Sequence, residues 1–183
     1  MSRSSGAREG TRPSQPQPPG TASLEPAILT NALSLLAARS YSEEQLRRRL
    51  AAKFGAAPEI DNCIGLLKQQ GYVNDARFAE SYAAHRTGIK AIGRARLARE
   101  LAGKLLSKEV IDSALNRAFH ALPEEELIDR AIDKRVRSKG VPASQSDRKK
   151  MFDYLVRLGF DYNLILKKVR SLGPATVLET SDD

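Results

Sequence analysis

The 183-residue chain contains one cysteine, two histidines and no tryptophan, and aromatic residues make up only 5% of it. A single cysteine excludes an intramolecular disulfide and any metal site built from several cysteines. Two histidines leave little for a histidine-built metal or catalytic centre. No apolar run approaches the roughly 20 residues that a membrane-spanning helix needs, and the N-terminal segment lacks the apolar core of a secretory signal. We therefore expect a cytoplasmic protein with no membrane contact.

Sequence motifs of catalysis are missing as well. The chain has no Walker phosphate-binding loop, and the glycines at positions 88 and 93 do not follow a predicted strand, which excludes a dinucleotide-binding fingerprint. Cys63 lies on an apolar helical face and is not followed one turn later by a basic residue. This pattern favours a buried structural thiol over a nucleophile.

The other candidate chemical groups also have simpler interpretations. His85 and His120 lie on or near the end of predicted helices, where surface or capping roles are more common than acid–base catalysis. The acidic run Glu124–Glu126 follows Pro123 in a predicted first helical turn, where the helix dipole favours negative charge. We therefore predict that the protein is not an enzyme and that it holds no metal and no cofactor.

Positive charge is what the chain does have: 30 Lys and Arg residues against 22 Asp and Glu give a formal net charge of +8. Residues 1–25, rich in Pro and Ser, are predicted to form a disordered tail, and the acidic residues 174–183 a frayed one. The residues between these tails hold 27 basic and 17 acidic side chains, so the charge belongs to the predicted folded part. Phosphate backbones or acidic protein surfaces are the expected partners.

The folded part is predicted to be all-α, with three tandem three-helix repeats that form an elongated, curved body. Apolar residues recur at helical spacing, and Ser42–Gln45 has the form of a capping box that opens a helix. The pattern of residues 42–69 recurs 51 positions later, and a further shift of 54 finds it again. The predicted repeats span residues 26–73, 74–121 and 122–173, and each is expected to touch mainly its neighbours.

Basic residues cluster on the predicted helices, and between Arg86 and Lys104 of the middle repeat Glu100 is the only acidic residue. A solvated helix face with ion pairs four residues apart is the alternative to a functional basic surface. The shortage of acidic residues favours the functional surface. The candidate residues for binding a partner protein or DNA are Arg47, Arg48, Arg86, Lys90, Arg94, Arg96, Arg99, Lys104, Lys134, Arg135, Arg137 and Lys139.

Three-helix units with basic second helices are also similar to helix-turn-helix modules. Apart from Gln45 in the capping box, the arginine-rich helices lack the Asn and Gln residues that read adenine, so sequence-specific DNA recognition is weakly supported. The few aromatic residues lie mostly at predicted repeat junctions or in apolar stripes, and we interpret them as core residues rather than as platforms for stacking bases. Contact with the DNA backbone or an acidic protein groove is favoured, and a purely structural adaptor stays a third possibility.

Four sequence elements resemble the RecX family of recombination regulators. Residues 37–50, with Tyr-Ser-Glu-Glu-Gln-Leu at their centre, are similar to the family's opening element. Residues 71–86 begin Gly-Tyr-Val-Asn-Asp and resemble its central signature, which is the most specific of the four. Residues 93–101 and 157–165 are similar to its next and closing elements. The chain departs from the family pattern at residues 102–106, Ala-Gly-Lys-Leu-Leu, where Lys-Gly and a branched residue are usual.

The resemblance covers about residues 28–172 and implies a role. It implies a regulator that binds the RecA recombinase, lies in the groove of the RecA–DNA filament and inhibits its ATPase and strand exchange, and so modulates recombination and DNA repair. It also implies direct DNA binding, which we expect to involve the backbone without sequence specificity, and no enzymatic activity or cofactor. We expect a monomer. The alternative is a helix-turn-helix-like protein that acts directly on duplex or single-stranded DNA.

Overall fold

The computed structural model describes residues 24–172, which form nine α-helices and no strand. The helices are α1 (Leu24–Ala38), α2 (Glu43–Phe54), α3 (Pro58–Gln69), α4 (Asp75–Ile89), α5 (Arg94–Ala102), α6 (Lys108–Ala121), α7 (Glu124–Lys139), α8 (Gln145–Leu158) and α9 (Tyr162–Ser171). The two predicted tails lie outside the described residues, apart from Leu24 and Glu25. These two residues open α1, because an acidic residue and the following Pro26 both suit a first helical turn.

The predicted all-α fold of three-helix repeats is confirmed. The helices form three successive groups, each with its own hydrophobic core, and we call α1–α3 repeat 1, α4–α6 repeat 2 and α7–α9 repeat 3. The apolar pairs aligned from the sequence are all buried: Leu46 and Leu50, Leu97 and Leu101, Met151 and Leu155. The limits of the repeats in the chain stay predictions.

Local sequence signals set the helix ends as expected. The Ser42 hydroxyl accepts a hydrogen bond from the Gln45 N–H at 3.3 Å, and the Gln45 side chain accepts one from the Ser42 N–H at 3.4 Å, which completes the predicted capping box. Pro58 is the first residue of α3. Two residues after this helix ends, Gly71 has a φ of +74°, a conformation that glycine adopts without a steric penalty.

The second helices of the repeats meet end to end. The Ser42 hydroxyl, at the start of α2, donates to the Lys104 carbonyl just past the end of α5 at 2.5 Å. The Gly93 N–H, at the start of α5, donates to the carbonyl of Leu158, the last residue of α8, at 2.9 Å. The same ends of the helices therefore form both junctions between repeats.

Two glycines make the junction between repeats 2 and 3 unusually close. A Cβ atom on Gly93 would lie 2.2 Å from the Gly159 carbonyl oxygen, and one on Gly159 would lie 2.4 Å from the Arg96 nitrogen. The Ala95 N–H also donates to the Gly159 carbonyl at 3.1 Å. The backbones of the two repeats are in direct contact here, which only glycine permits.

An acidic residue caps a helix of the preceding repeat at both junctions. Asp75, the first residue of α4, accepts a hydrogen bond from the Glu43 N–H of α2 at 2.7 Å. Glu124, the first residue of α7, accepts one from the Arg94 N–H of α5 at 2.9 Å. Burial raises the pKa of both carboxyl groups. The sequence predicted a helix-dipole role for Glu124, and the structure adds that its carboxylate caps α5.

Candidate functional site

Several predicted binding residues are already paired with acids inside the protein. Arg47 contacts Glu43, Glu44 and Asp61 at 2.9–3.1 Å, and Arg48 contacts Glu44 at 2.7 Å. The charges of these two arginines are therefore compensated by acidic side chains. A solvated helix face with ion pairs describes this helix well.

Arg86 also belongs to an internal network. Its Nε donates to Glu100 at 2.6 Å, and the same carboxylate accepts from Arg96 Nε at 3.2 Å and from the Tyr82 hydroxyl at 3.1 Å. The hydrogen bond from Arg86 lowers the pKa of Glu100 to about 2, although burial opposes this shift. The side chains of Arg86 and Glu100 are only 18% and 21% exposed, so this pair ties α4 to α5.

Other predicted residues lie apart from one another. Arg94 donates to the Asn116 side chain and lies 5.8 Å from the centre of the Phe119 ring. Lys104 lies over Tyr82 and Arg135 over Tyr154, at 5.3 Å and 4.9 Å from the ring centres. Arg99 and Lys139 are exposed. The structure does not bring the twelve predicted residues together into one surface.

Four of them do line one groove between repeats 2 and 3. These four are Lys90, Arg96, Lys134 and Arg137. Arg130 adds a fifth cation, and we call the space that these five residues line the basic groove. The cavity measures about 860 Å³ and has no acidic side chain among its lining residues. Its walls are the end of α4 with the loop that follows, one face of α7, and Tyr154 and Leu158 of α8.

Helix α7 supplies three of these cations because of their spacing. Arg130, Lys134 and Arg137 are separated by four and three positions, which places them on one helical face. Ile128 and Ile132, on the other side of the helix, are buried in the core of repeat 3. Burial of the apolar side therefore turns the three cations toward the groove.

Most of the charge in the basic groove is free to meet a partner. Arg130 lies 3.6 Å from Glu126, an exposed pair of the kind that contributes little. Arg96 shares Glu100 with Arg86. In the described part of the chain, Lys90 and Lys134 form no ion pair and both are exposed. The groove therefore presents net positive charge to an anionic surface.

A second groove lies between repeats 1 and 2. Four aromatic residues line it: Tyr41, Tyr72, Phe78 and Tyr82. We call this space the aromatic groove; it measures about 1050 Å³ and includes much of the 71–86 signature. The interpretation of aromatic residues as core holds for Phe160, which is 5% exposed, but it is wrong for Tyr72 and Tyr162, which are 56% and 60% exposed. Tyr72 lies in the loop after α3, so its side chain is not part of the apolar face of that helix.

Residues 24–172 contain no candidate membrane span and no candidate metal site. No described helix is long and apolar enough to cross a bilayer. No group of three or more His, Cys, Asp or Glu side chains in this part of the chain is placed to hold a metal ion. Cys63 is buried, as its apolar neighbours predicted, and burial raises the pKa of its thiol.

Comparison with known proteins identifies the family. A family model described as "RecX, second three-helix domain" matches residues 74–115. The Regulatory protein RecX of Pelodictyon phaeoclathratiforme is 31% identical over 159 residues, which cover 86% of this chain and 94% of that protein. The protein of the same name from Cronobacter sakazakii is 40% identical over 97 residues, which cover 48% of this chain and 58% of that one.

A solved structure shares the fold. The crystal structure of RecX from Lactobacillus salivarius matches with a TM-score of 0.72 at 19% identity, over 81% of this chain and 96% of that one. The fold of three-helix repeats is thus common to both. With the relative that matches over nearly its whole length, these findings show that the chain belongs to the RecX family of regulatory proteins.

Proposed function

We propose that this protein binds the RecA recombinase on DNA and inhibits its ATPase and strand exchange, and so regulates recombination and DNA repair. The observation that carries the proposal is the basic groove, with five cations and no acidic lining residue, in a chain of the RecX family. A recombinase filament on DNA offers both phosphates and acidic side chains. The groove matches either by charge.

The arrangement of the repeats supports an inhibitory mechanism. The glycine contact holds repeats 2 and 3 together through their backbones, so the two walls of the basic groove keep their spacing. A protein that docks such a groove on one protomer and extends its other repeats along the filament would bridge neighbouring protomers. Bridging opposes the subunit motions and exchange that accompany ATP turnover. This mode of action requires no cofactor and no catalytic residue.

Association through the basic groove is expected to depend strongly on salt. Cations on an open surface steer an anionic partner at long range, and ions in solution screen this attraction over about 10 Å at 0.1 M. Inhibition should therefore be strongest at low ionic strength.

The direct test is the ATPase of RecA on single-stranded DNA with this protein added at low salt. We expect inhibition at low micromolar concentration. The variant Lys134→Glu with Arg137→Glu should need at least about tenfold more protein for the same inhibition, because two phosphate or carboxylate contacts become repulsive. Absence of inhibition by the unaltered protein would contradict the proposal.

A matched variant separates the groove from general charge. Lys149→Glu with Lys167→Glu makes the same change in net charge at two exposed residues that line neither groove. This variant should inhibit nearly as well as the unaltered protein. Equal loss in both double variants would show that net charge matters and the basic groove does not.

Direct action on DNA is the second candidate, since the same groove fits a phosphate backbone. Co-sedimentation with RecA filaments and with naked DNA at matched salt distinguishes the two. Preference for the filament supports the proposed function. Equal binding to random and selected DNA with a steep salt dependence would favour a backbone-binding protein that acts without RecA.

A further inference from the structure

We propose that the aromatic groove binds single-stranded DNA by stacking bases on its rings, with Tyr72 as the main platform. This goes beyond the backbone contact expected from the sequence. It concerns naked single strands and does not depend on the proposed action on RecA.

The rings are gathered in one place and are partly open. Three of the five tyrosines of the chain, Tyr41, Tyr72 and Tyr82, line the groove together with Phe78. Tyr72 is 56% exposed, and among the described residues it takes part in no aromatic pair and no cation–ring contact. Its ring is therefore available to a base.

The charges around the rings match a nucleic acid. Arg39 lies 4.3 Å from the centre of the Tyr41 ring and Lys104 lies 5.3 Å from that of Tyr82. Arg77 lines the groove, and none of its lining residues is acidic. Single-stranded nucleic acid presents a flat base and a phosphate in every unit, and proteins bind it with aromatic rings beside cations. The groove offers this combination.

The platform is also held in place before binding. Tyr72 follows Gly71, and its N–H donates to the Leu67 carbonyl at 2.9 Å. The Arg77 side chain donates to the Gly71 carbonyl at 2.9 Å. Because these bonds fix the loop backbone, a base that stacks on Tyr72 meets a loop that is already ordered, and less entropy is lost on binding.

A single strand fits better than a duplex or an acidic peptide. In a duplex the faces of the bases are covered by their neighbours, so an exposed ring in a groove has nothing to stack on. An acidic peptide would satisfy Arg77 and Lys104, but it has no use for several rings beside the cations. The contrast with the basic groove, where Tyr154 is the only aromatic lining residue, supports this reading.

Because the chain has no tryptophan, tyrosine fluorescence can be used to measure binding in the groove. Tyrosine dominates the fluorescence of the protein, and three of the five tyrosines line the aromatic groove. Oligothymidine should quench this emission, because a stacked base quenches the ring it covers. An oligonucleotide of equal length and charge whose sites are abasic should bind more weakly and quench little.

Three variants test the platform. Tyr72→Ala should weaken binding of oligothymidine by about tenfold, within the usual range for loss of one stacking ring. Tyr72→Phe keeps the ring and should bind like the unaltered protein. Tyr162→Ala removes a comparably exposed tyrosine on α9, outside the groove, and should leave the affinity unchanged.

The outcomes separate this proposal from the others. Equal affinity for oligothymidine in Tyr72→Ala and in the unaltered protein would overturn it, as would equal binding of the abasic strand. If Tyr72→Ala binds oligothymidine normally and yet loses inhibition of RecA, the groove binds protein instead. If Tyr72→Ala loses oligothymidine affinity while the unaltered protein does not inhibit RecA, the stacking site stands and the proposed function fails.

Discussion

The basic groove and the aromatic groove occupy equivalent places in consecutive repeats, yet different residues line them. Counted from the first residue of each helix, Ser81 and His85 of α4 correspond to Arg130 and Lys134 of α7. Each of these four residues lines its own groove. One repeated backbone thus carries a basic surface at one junction and an aromatic surface at the other, and these two helix positions supply two of the five cations.

The contacts that hold the two junctions also differ. Backbone meets backbone at Gly93 and Gly159 between repeats 2 and 3, whereas the Ser42 side chain makes the corresponding contact between repeats 1 and 2. Phe119 and Leu158 pack against the cores of both repeats 2 and 3. Among the described residues, no side chain packs in this way against the cores of repeats 1 and 2. The basic groove has the more rigid frame.

The largest expected effect tests the glycine contact directly. Gly159→Ala places a Cβ atom 2.4 Å from the Arg96 nitrogen at a φ of +82°, so repeats 2 and 3 must separate or distort. We expect a loss of about 3 kcal/mol in the free energy of unfolding, from overpacking together with a left-handed alanine. Urea unfolding measures it.

Gly71→Ala is the control for backbone strain. Gly71 has nearly the same φ, +74°, and ends its helix with the same hydrogen-bond pattern, but a Cβ there meets nothing within 4 Å. Its cost should be about 1 kcal/mol, as for a left-handed alanine alone. If both variants lose the same free energy of unfolding, the close backbone contact at Gly159 adds no stability. The junction between repeats 2 and 3 would then be no more rigid than the junction between repeats 1 and 2.

The second largest effect is expected at low pH, where the hydrogen-bond network at Glu100 should weaken. The pKa of this carboxyl is lowered from its ordinary 4.5 to about 2 by Arg86, so its contribution is full above pH 4.5 and is lost as the pH falls toward 2. The full shift corresponds to about 3 kcal/mol, and the partial exposure of the pair to solvent lowers this figure. Unfolding followed from pH 6 to pH 2 should show this loss in the unaltered protein. Glu100→Gln, which has no such titration, should change less over the same range, and parallel curves would remove Glu100 from the explanation.

The smallest expected effect concerns the carboxylate cap that is present at both junctions. Asp75 and Glu124 both accept a backbone N–H of the preceding repeat, and burial raises the pKa of both. A raised pKa means that stability is full at low pH and declines as the pH rises through the folded value. Asp75→Asn and Glu124→Gln keep an acceptor oxygen without the charge. At pH 7 each should be more stable than its alanine counterpart by about 1 kcal/mol, the usual worth of a helix cap.

Comparing the amide and alanine variants at the two positions shows whether the cap is the same at both junctions. Similar gaps between amide and alanine at positions 75 and 124 would confirm a repeated cap. A difference in the free energy of unfolding at only one position would show that different interactions stabilise the two junctions.

The sequence predicts most of the fold because local signals and the repeat point to the same helices. The capping box at Ser42 and the repeated apolar pairs each depend on short-range chemistry, and the structure confirms them. The sequence predicts the start of α1 too late, because residues 24 and 25 follow a proline-rich stretch and composition dominates a short window.

The site was harder to predict because charge and spacing do not show which cations find partners. Arg86 and Arg47 match the predicted pattern, but acids from other helices meet them: Glu100 pairs with Arg86 and Asp61 with Arg47. The candidate residues named from the sequence omit Arg130, although its spacing to Lys134 places it on the same helical face. The two grooves form only where repeats meet, so no single helix predicts them.

The side chains that repeats 2 and 3 share also bear on how the molecule unfolds. Separating those repeats would expose the apolar surface of Phe119 and Leu158 to water, and exposed apolar surface raises the heat capacity. Detaching repeat 1 would break mainly polar contacts, such as those of Ser42 and Asp75, and would change the heat capacity little. Calorimetry would therefore register repeats 2 and 3 as one cooperative unit, with repeat 1 joined to it by hydrogen bonds more than by hydrophobic packing.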